Sequence, residues 1–186
     1  MLRIDSDNLY LVPFEERHLN DSAYFEWVTD YDVMRYIGRN EYLKPIRFDV
    51  VRRYVEGLWD SKYCSFFAMH LKDDTFIGTM KMNYLDDAGL ITQCADIGIM
   101  IGHRGCWGKG LATEALAAIC NYAFSRLGMR KLTAGANGSN AGVIKAFKKI
   151  GFVQEGCLRN KLLVEGDYHD HILLGCFRDE FNPAGR

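Results

Sequence analysis

Apolar positions change their spacing along this chain, and the changes mark out its elements. NLYLVPF near the start reads as a strand stopped by Pro13. EERHLNDSAYFEWV places Leu19, Tyr24, Phe25 and Val28 at helical spacing. DVMRYI predicts a second, short helix and RFDVVRRYVEGLWD a third, with Val51, Tyr54, Val55 and Leu58 on one face. The texture then turns to strands: CSFFAMHL and TFIGTMKMNYL, joined at KDD, then a DDAG turn and the long run LITQCADIGIMI. These three runs predict an antiparallel meander. A helix follows from about Leu111 to Leu127, then the strand RKLTAGA and the helix AGVIKAFKKI, stopped by Gly151. CLRNKLLV and HDHILLGCF, joined at EGDY, close the chain as a hairpin. This order of strand, helices, meander, helix, strand, helix and hairpin predicts an α/β (α+β) fold around a mixed, mostly antiparallel sheet. No repeat or Pro/Gly/Ser linker interrupts the 186 residues, so a single domain over residues 1–186 is expected.

Composition narrows the function. The net charge of −1 implies no general attraction to nucleic acid. No run of 18 apolar residues predicts a membrane span, and MLRIDSDN lacks the apolar region of a secretory signal. The six cysteines form no CxxC pair, and several lie in apolar runs, where a reduced thiol packs as a small hydrophobe. A cytoplasmic protein with free thiols and no structural zinc is expected. His169 and His171 alternate along a strand and share one side, but no third ligand accompanies them, so they read as a solvated strand face rather than a metal site. The acidic KDD and LDDAG stretches read as solvated turns.

Chemistry concentrates at HRGCWGKGLATEA, residues 103–115, where a strand, a glycine-rich turn and a helix follow one another. Helix N-termini carry unpaired amides and partial positive charge, so such a turn suits a phosphate group. A Walker P-loop is excluded because His103 stands where its first glycine belongs and Gly110 where its magnesium-binding hydroxyl belongs. A dinucleotide fingerprint fits poorly because Thr113 stands where the third glycine belongs, after a meander rather than a βαβ unit.

The turn instead resembles the acyl-CoA pyrophosphate loop, Q/R-x-x-G-x-G/A, of the GNAT N-acetyltransferases, with Gly110 and Ala112 at the small positions. Trp107 takes the Q/R position, and WGKGLATEA is similar to the Rim-type branch, which includes acetyltransferases of ribosomal-protein N-termini. LVPFEERH, EWVTDYDVMRYI, NAGVIKAFKKIGFVQEG and LRNKLLVEGDYHDHILLGCF resemble other segments of that branch in order, across nearly the whole chain. The resemblance implies acetyl-CoA as cosubstrate, with Trp107, Gly108, Lys109, Gly110, Leu111, Ala112 and Thr113 around its pyrophosphate. It implies the backbone of Ile99, Met100 and Ile101 beside the thioester, where the strand splays from its neighbour and Gly98 permits a bulge. It places Asn140 on the pantetheine arm, with a helix cap as the alternative, and Phe147 beside the sulfur.

Acetyl transfer to an amine needs a neutral amine, donors for the carbonyl oxygen and a leaving sulfur. Asp96 of the Asp96-Ile97-Gly98 segment is the expected base, at a point where the branch often carries glutamate. The two acids usual in the family are replaced by Phe147, where many members carry tyrosine, and Val143, where the Rim-type pattern has serine. Ser139 and Tyr122 remain as candidate acids. Cys106 lies near the loop with nothing beside it that argues for a nucleophile, so direct ternary transfer is expected. The acceptor is a primary amine: a protein N-terminus, a polyamine, an amino sugar or an antibiotic. A homodimer is compatible with this. The non-enzyme alternative is a CoA-binding regulatory domain, for which Val143 and Phe147 are the best support.

Overall fold

The computed structural model describes residues 2–37, 44–87 and 91–183. Eight strands form one sheet: β1 (Ile4–Asp5), β2 (Leu9–Pro13), β3 (Cys64–Leu71), β4 (Phe76–Tyr84), β5 (Cys94–Ile101), β6 (Lys131–Asn137), β7 (Val153–Val164) and β8 (Asp167–Phe177). Their order across the sheet is β1-β2-β3-β4-β5-β6-β8-β7. Every neighbouring pair is antiparallel except β5 and β6. The predicted meander is therefore β3-β4-β5, and the closing hairpin is β7-β8.

Alternation along the strands sends apolar side chains to both faces, and each face has its own core. Leu9, Leu11, Phe67, Met69, Ile97 and Leu132 pack under α5 (Leu111–Ser125) and α6 (Ala141–Lys149). Tyr10, Val12, Phe66 and Ala68 pack under α1 (Glu16–Leu19), α2 (Ser22–Thr29), α3 (Tyr31–Met34) and α4 (Phe48–Trp59). On α4 the predicted face is the buried one: Val51 and Val55 are fully covered, with Tyr54 and Leu58 packed beside them.

Several boundaries differ from the sequence expectation, each for a local reason. The first predicted helix is two helices, because the Asp21 carboxylate accepts the Ala23 amide at 3.0 Å and starts α2 afresh. The helix predicted from DVMRYI is the single turn Tyr31–Met34. The long strand begins at Cys94 rather than earlier, since Asp86 takes the amide and hydroxyl of Thr92 at 2.7 and 2.6 Å and holds that residue in a turn. Leu90, Ala88 and Gly89, part of that expected strand and turn, lie outside the described residues. Gly98 makes no bulge: the β4–β5 register runs unbroken from Gly78↔Ile101 to Tyr84↔Ala95. β7 starts at Val153 and bends at two register shifts on its way to Val164.

Two histidines are buried, His18 on α1 and His70 on β3. His18 and His70 lie with ring centroids 5.2 Å apart, among Phe14, Tyr10 and Phe76. Burial, helped by the charge of Arg17, pushes the His18 imidazolium down to about 4, so the ring is neutral and its Nδ1 accepts the Glu15 amide at 2.8 Å.

Candidate active site

The cleft exists because two parallel strands part. β5 and β6 pair only over Cys94↔Lys131, Ala95↔Leu132 and Asp96↔Thr133. Beyond that point β5 continues along β4, while β6 continues along β8 as far as Asn137↔His171. Leu85 N–H donates to Cys94 C=O at 3.3 Å and Gly102 N–H to Ile77 C=O at 3.0 Å. These bonds set the phase of the ladder: even-numbered residues of β5 bond β4, and odd-numbered ones turn their amides and carbonyls away from it. The outward backbone of Ile99 and Ile101 thus borders the opening. The Ile101 carbonyl is taken by the Trp107 indole N–H at 2.8 Å, which ties the following turn back onto the strand.

That turn delivers amides to the cleft. Arg104–Cys106 is a single 3₁₀ turn, closed by Cys106 N–H on His103 C=O at 2.9 Å. Gly108 and Gly110 then adopt left-handed backbones, φ 73° and 81°. A Cβ at either would meet nothing within 4 Å, so conformation rather than crowding demands glycine, and the space above the turn is open. Gly110 is the N-cap of α5 and offers no side chain to it. The first-turn amides of Leu111, Ala112 and Thr113 therefore face outward at the positive end of a 15-residue helix. Glu114 turns away from them: its carboxylate accepts Ser6 Oγ and Asn8 N–H, each at 2.7 Å, and anchors α5 to the β1–β2 turn. Arg104 fastens the other side of the loop, reaching Asp30 at 2.9 Å and Asp32 at 2.8 Å.

Two adjoining cavities fill the cleft. The larger, about 610 Å³, is lined by Ile99, Met100, Ile101, Trp107, Gly108, Gly110, Leu111, Ala112, Thr113 and Asn140, all expected from the sequence. Lys109 is exposed and lies off its lining. Lys145 and Lys149, one turn apart on α6, line it without having been expected, although their i, i+4 spacing in AGVIKAFKKI was visible. The smaller cavity, about 240 Å³, is lined by Asp96, Phe147, Val143 and Asn137 and shares Ile99, Met100 and Asn140 with the larger.

Asp96 sits at the floor of the smaller cavity, opposite Asn83 on β4, and its Oδ2 accepts the Thr133 hydroxyl at 3.0 Å. Burial raises its carboxyl above the usual carboxylate range, against the lowering pull of Thr133 and of the charges of Lys81 and His171. Asn140 caps α6 by accepting the Val143 amide at 3.3 Å, and from there it borders both cavities. Phe147, only 2% exposed, packs on Phe152.

Both candidate acids are misplaced. Tyr122 lies roughly 16 Å further along α5 than Leu111 and packs on the core beside that helix. Ser139 spends its hydroxyl and amide on Asn137 Oδ1, at 2.7 and 2.9 Å. Neither lines either of these two cavities. Cys106 is buried, and burial raises its thiol, which disfavours the thiolate a nucleophile needs. All six cysteines are free, and the described residues hold no group of three metal-ligating side chains. No helix among them is long and apolar enough to cross a membrane.

The chain matches the model of the acetyltransferase (GNAT) domain over residues 8–153. It is 31% identical over 126 residues to the probable N-acetyltransferase YjcK of Bacillus subtilis, covering 67% of each chain. Among solved structures, the spermidine N-acetyltransferase of Vibrio cholerae in complex with CoA and spermine superposes with a TM-score of 0.80 at 20% identity, over 92% of this chain and 96% of that one. The ribosomal L7/L12 alpha-N-protein acetyltransferase RimL in complex with coenzyme A gives 0.81 at 19% identity, over 96% and 99%. At these identities the two structures show a shared fold.

Proposed function

Because the chain belongs to the GNAT acetyltransferase family, we propose that it moves the acetyl group of acetyl-CoA directly to a primary amine within one ternary complex, Asp96 taking the proton. The carrying observation is that the two cavities meet at Ile99 and Met100, with uncapped helix amides in one and a half-buried carboxylate in the other. The pyrophosphate sits on the amides of Leu111, Ala112 and Thr113, where the α5 dipole favours negative charge. Lys145 and Lys149 add positive charge along the same wall.

The acyl arm then runs along the outward edge of β5, and the Ile99 N–H meets the thioester oxygen as charge develops on it. The amine reacts in the smaller cavity as its neutral form, in equilibrium with the bound ammonium. Its lone pair attacks the carbonyl carbon, the C–S bond breaks and CoA leaves as thiolate. The ammonium proton passes to Asp96, directly or through one water. A carboxyl raised by burial is a better proton acceptor than an ordinary aspartate. Neither Phe147 nor Val143 carries an acidic hydrogen, so the sulfur leaves without a side-chain acid from those positions.

The regulatory alternative rested on those same two residues. Its weakness is that the loop and Asp96 are both in place, and the family is one of acetyltransferases. Initial rates with both substrates varied test the proposal. Intersecting double-reciprocal lines are expected. Parallel lines, with an acetylated protein found by mass spectrometry, would replace direct transfer by a covalent route.

A further inference from the structure

The smaller cavity carries information about the acceptor that the loop does not. Its floor comes from alternate residues of two strands. Thr79, Lys81 and Asn83 of β4 lie opposite Met100, Gly98 and Asp96 of β5. Its roof is apolar and aromatic: Tyr24 and Val28 from α2, Met34 from α3 and Tyr54 from α4. Among the described lining residues there is one carboxylate, Asp96, and one ammonium, Lys81. The Lys81 amine donates to the Tyr54 hydroxyl at 2.9 Å, which holds its charge at the cavity floor. Lys81 faces Gly98, where an added Cβ would meet nothing within 4 Å, so the ground between Lys81 and Asp96 is open. Lys81 and Asp96 are diagonal neighbours on one sheet face, a relation that sets backbones roughly 7–8 Å apart and Cβ atoms somewhat closer.

Resting on the transfer reading above, we infer that the acceptor is a small amino acid: an amine bound at Asp96, a carboxylate bound at Lys81 and an apolar or aromatic side chain under the Tyr24–Tyr54 roof. Charge excludes the main rival. A polyamine brings two or more cations to a cavity whose described lining holds one carboxylate, and its second ammonium meets Lys81. A zwitterion matches both charges. Size points the same way, since about 240 Å³ lies below the 300–1,000 Å³ usual for drug-sized ligands. Asn83, beside Asp96, adds a neutral amide that suits either end of such a molecule.

The test compares acetylation of leucine and phenylalanine with that of their amides, of spermidine and of a tripeptide with a free N-terminus. Rates are referred to the neutral-amine fraction, because the amide's amine is the weaker base. The amino acids should exceed their amides by about tenfold or more in kcat/KM, the usual loss when a charge-assisted contact goes. Lys81→Met should bring the acid-to-amide ratio to within about twofold of unity, and Lys81→Arg should keep the preference. The ratio is read within each variant, so a loss of folded protein does not alter it. A preference for spermidine or the tripeptide, or equal losses on acid and amide in Lys81→Met, overturns the amino-acid assignment and leaves acetyl transfer standing. Bound acetyl-CoA with no acetylation of any of these amines overturns the amino-acid assignment, and transfer itself falls if amino sugars and aminoglycoside antibiotics also stay unacetylated.

Discussion

Gly110→Ala separates what the loop does for the fold from what it does for the cosubstrate. Gly110 has φ 81°, and no atom lies within 4 Å of an added Cβ. The whole cost of alanine is therefore dihedral, roughly 1–2 kcal/mol for a left-handed L-residue. With nothing packed against it, the loop escapes that cost in the free protein by turning away from the left-handed region, and pays it when phosphate pulls the amides back into line. The strain then appears as weaker binding, about 5- to 30-fold in the acetyl-CoA Kd. Gly166, φ 88° in the β7–β8 turn, also has open space around its Cβ and lines neither cavity. Gly166→Ala should leave the Kd within about twofold of the parent. If its turn holds, its Tm falls by roughly 2–8 °C. Calorimetry with acetyl-CoA and thermal melts on both variants provide the comparison. An unchanged Kd in Gly110→Ala, alongside a fall in Tm like that of Gly166→Ala, would show that the left-handed turn serves the fold alone, and the pyrophosphate would have to be placed elsewhere.

Asp96→Asn should lower kcat/KM by about 100-fold while acetyl-CoA affinity stays near that of the parent, and full activity from pH 6 to 9 would remove Asp96 from the mechanism. Its folded carboxyl is raised, so its contribution to stability is present at acid pH and is lost as pH climbs through the folded value; melts at pH 7 should show Asp96→Asn more stable than the parent. Thr133→Val removes the hydroxyl donor that holds the Asp96 carboxyl down, so the acid limb of the kcat/KM profile should move to higher pH, and an unmoved limb would assign that limb to another group. His18 behaves in the opposite sense. Its folded value of about 4 lies below the ordinary 6.5, so its stabilisation is complete above pH 6.5 and is lost as pH falls towards 4. His18→Phe keeps a ring against Phe14 and Phe76 and should flatten the fall of Tm over that range, even if its Tm at pH 7 is lower for want of the bond to Glu15.

Local chemistry was legible without coordinates. The helical face of Val51, Tyr54, Val55 and Leu58, the hairpin at KDD, and the strand, glycine turn and helix around residues 98–125 all depend on neighbours a few positions apart. Backbone preference and apolar period act at that range. The need for Gly108 and Gly110 is likewise a property of the turn, since both take a left-handed φ. The cleft is a different matter. It opens because β6 leaves β5 after Asp96↔Thr133 to follow β8, a choice made between segments nearly forty positions apart in the chain. That divergence places Asp96 at a cavity floor, gives it Thr133 as a partner and raises its carboxyl by burial. Lys81 went unmarked in the sequence, where it is one polar residue between Met80 and Met82; the β4–β5 register set it diagonal to Asp96, and α4 brought it Tyr54. Tyr122 and Ser139 fell from the list of acids for the same reason. One is carried down α5 away from the opening, and the other is held by Asn137. Sequence therefore determined which segments curl, extend and turn, because those choices are settled within a few residues. Which side chains share a cavity was decided by where the strands part, and that depends on the packing of the whole sheet.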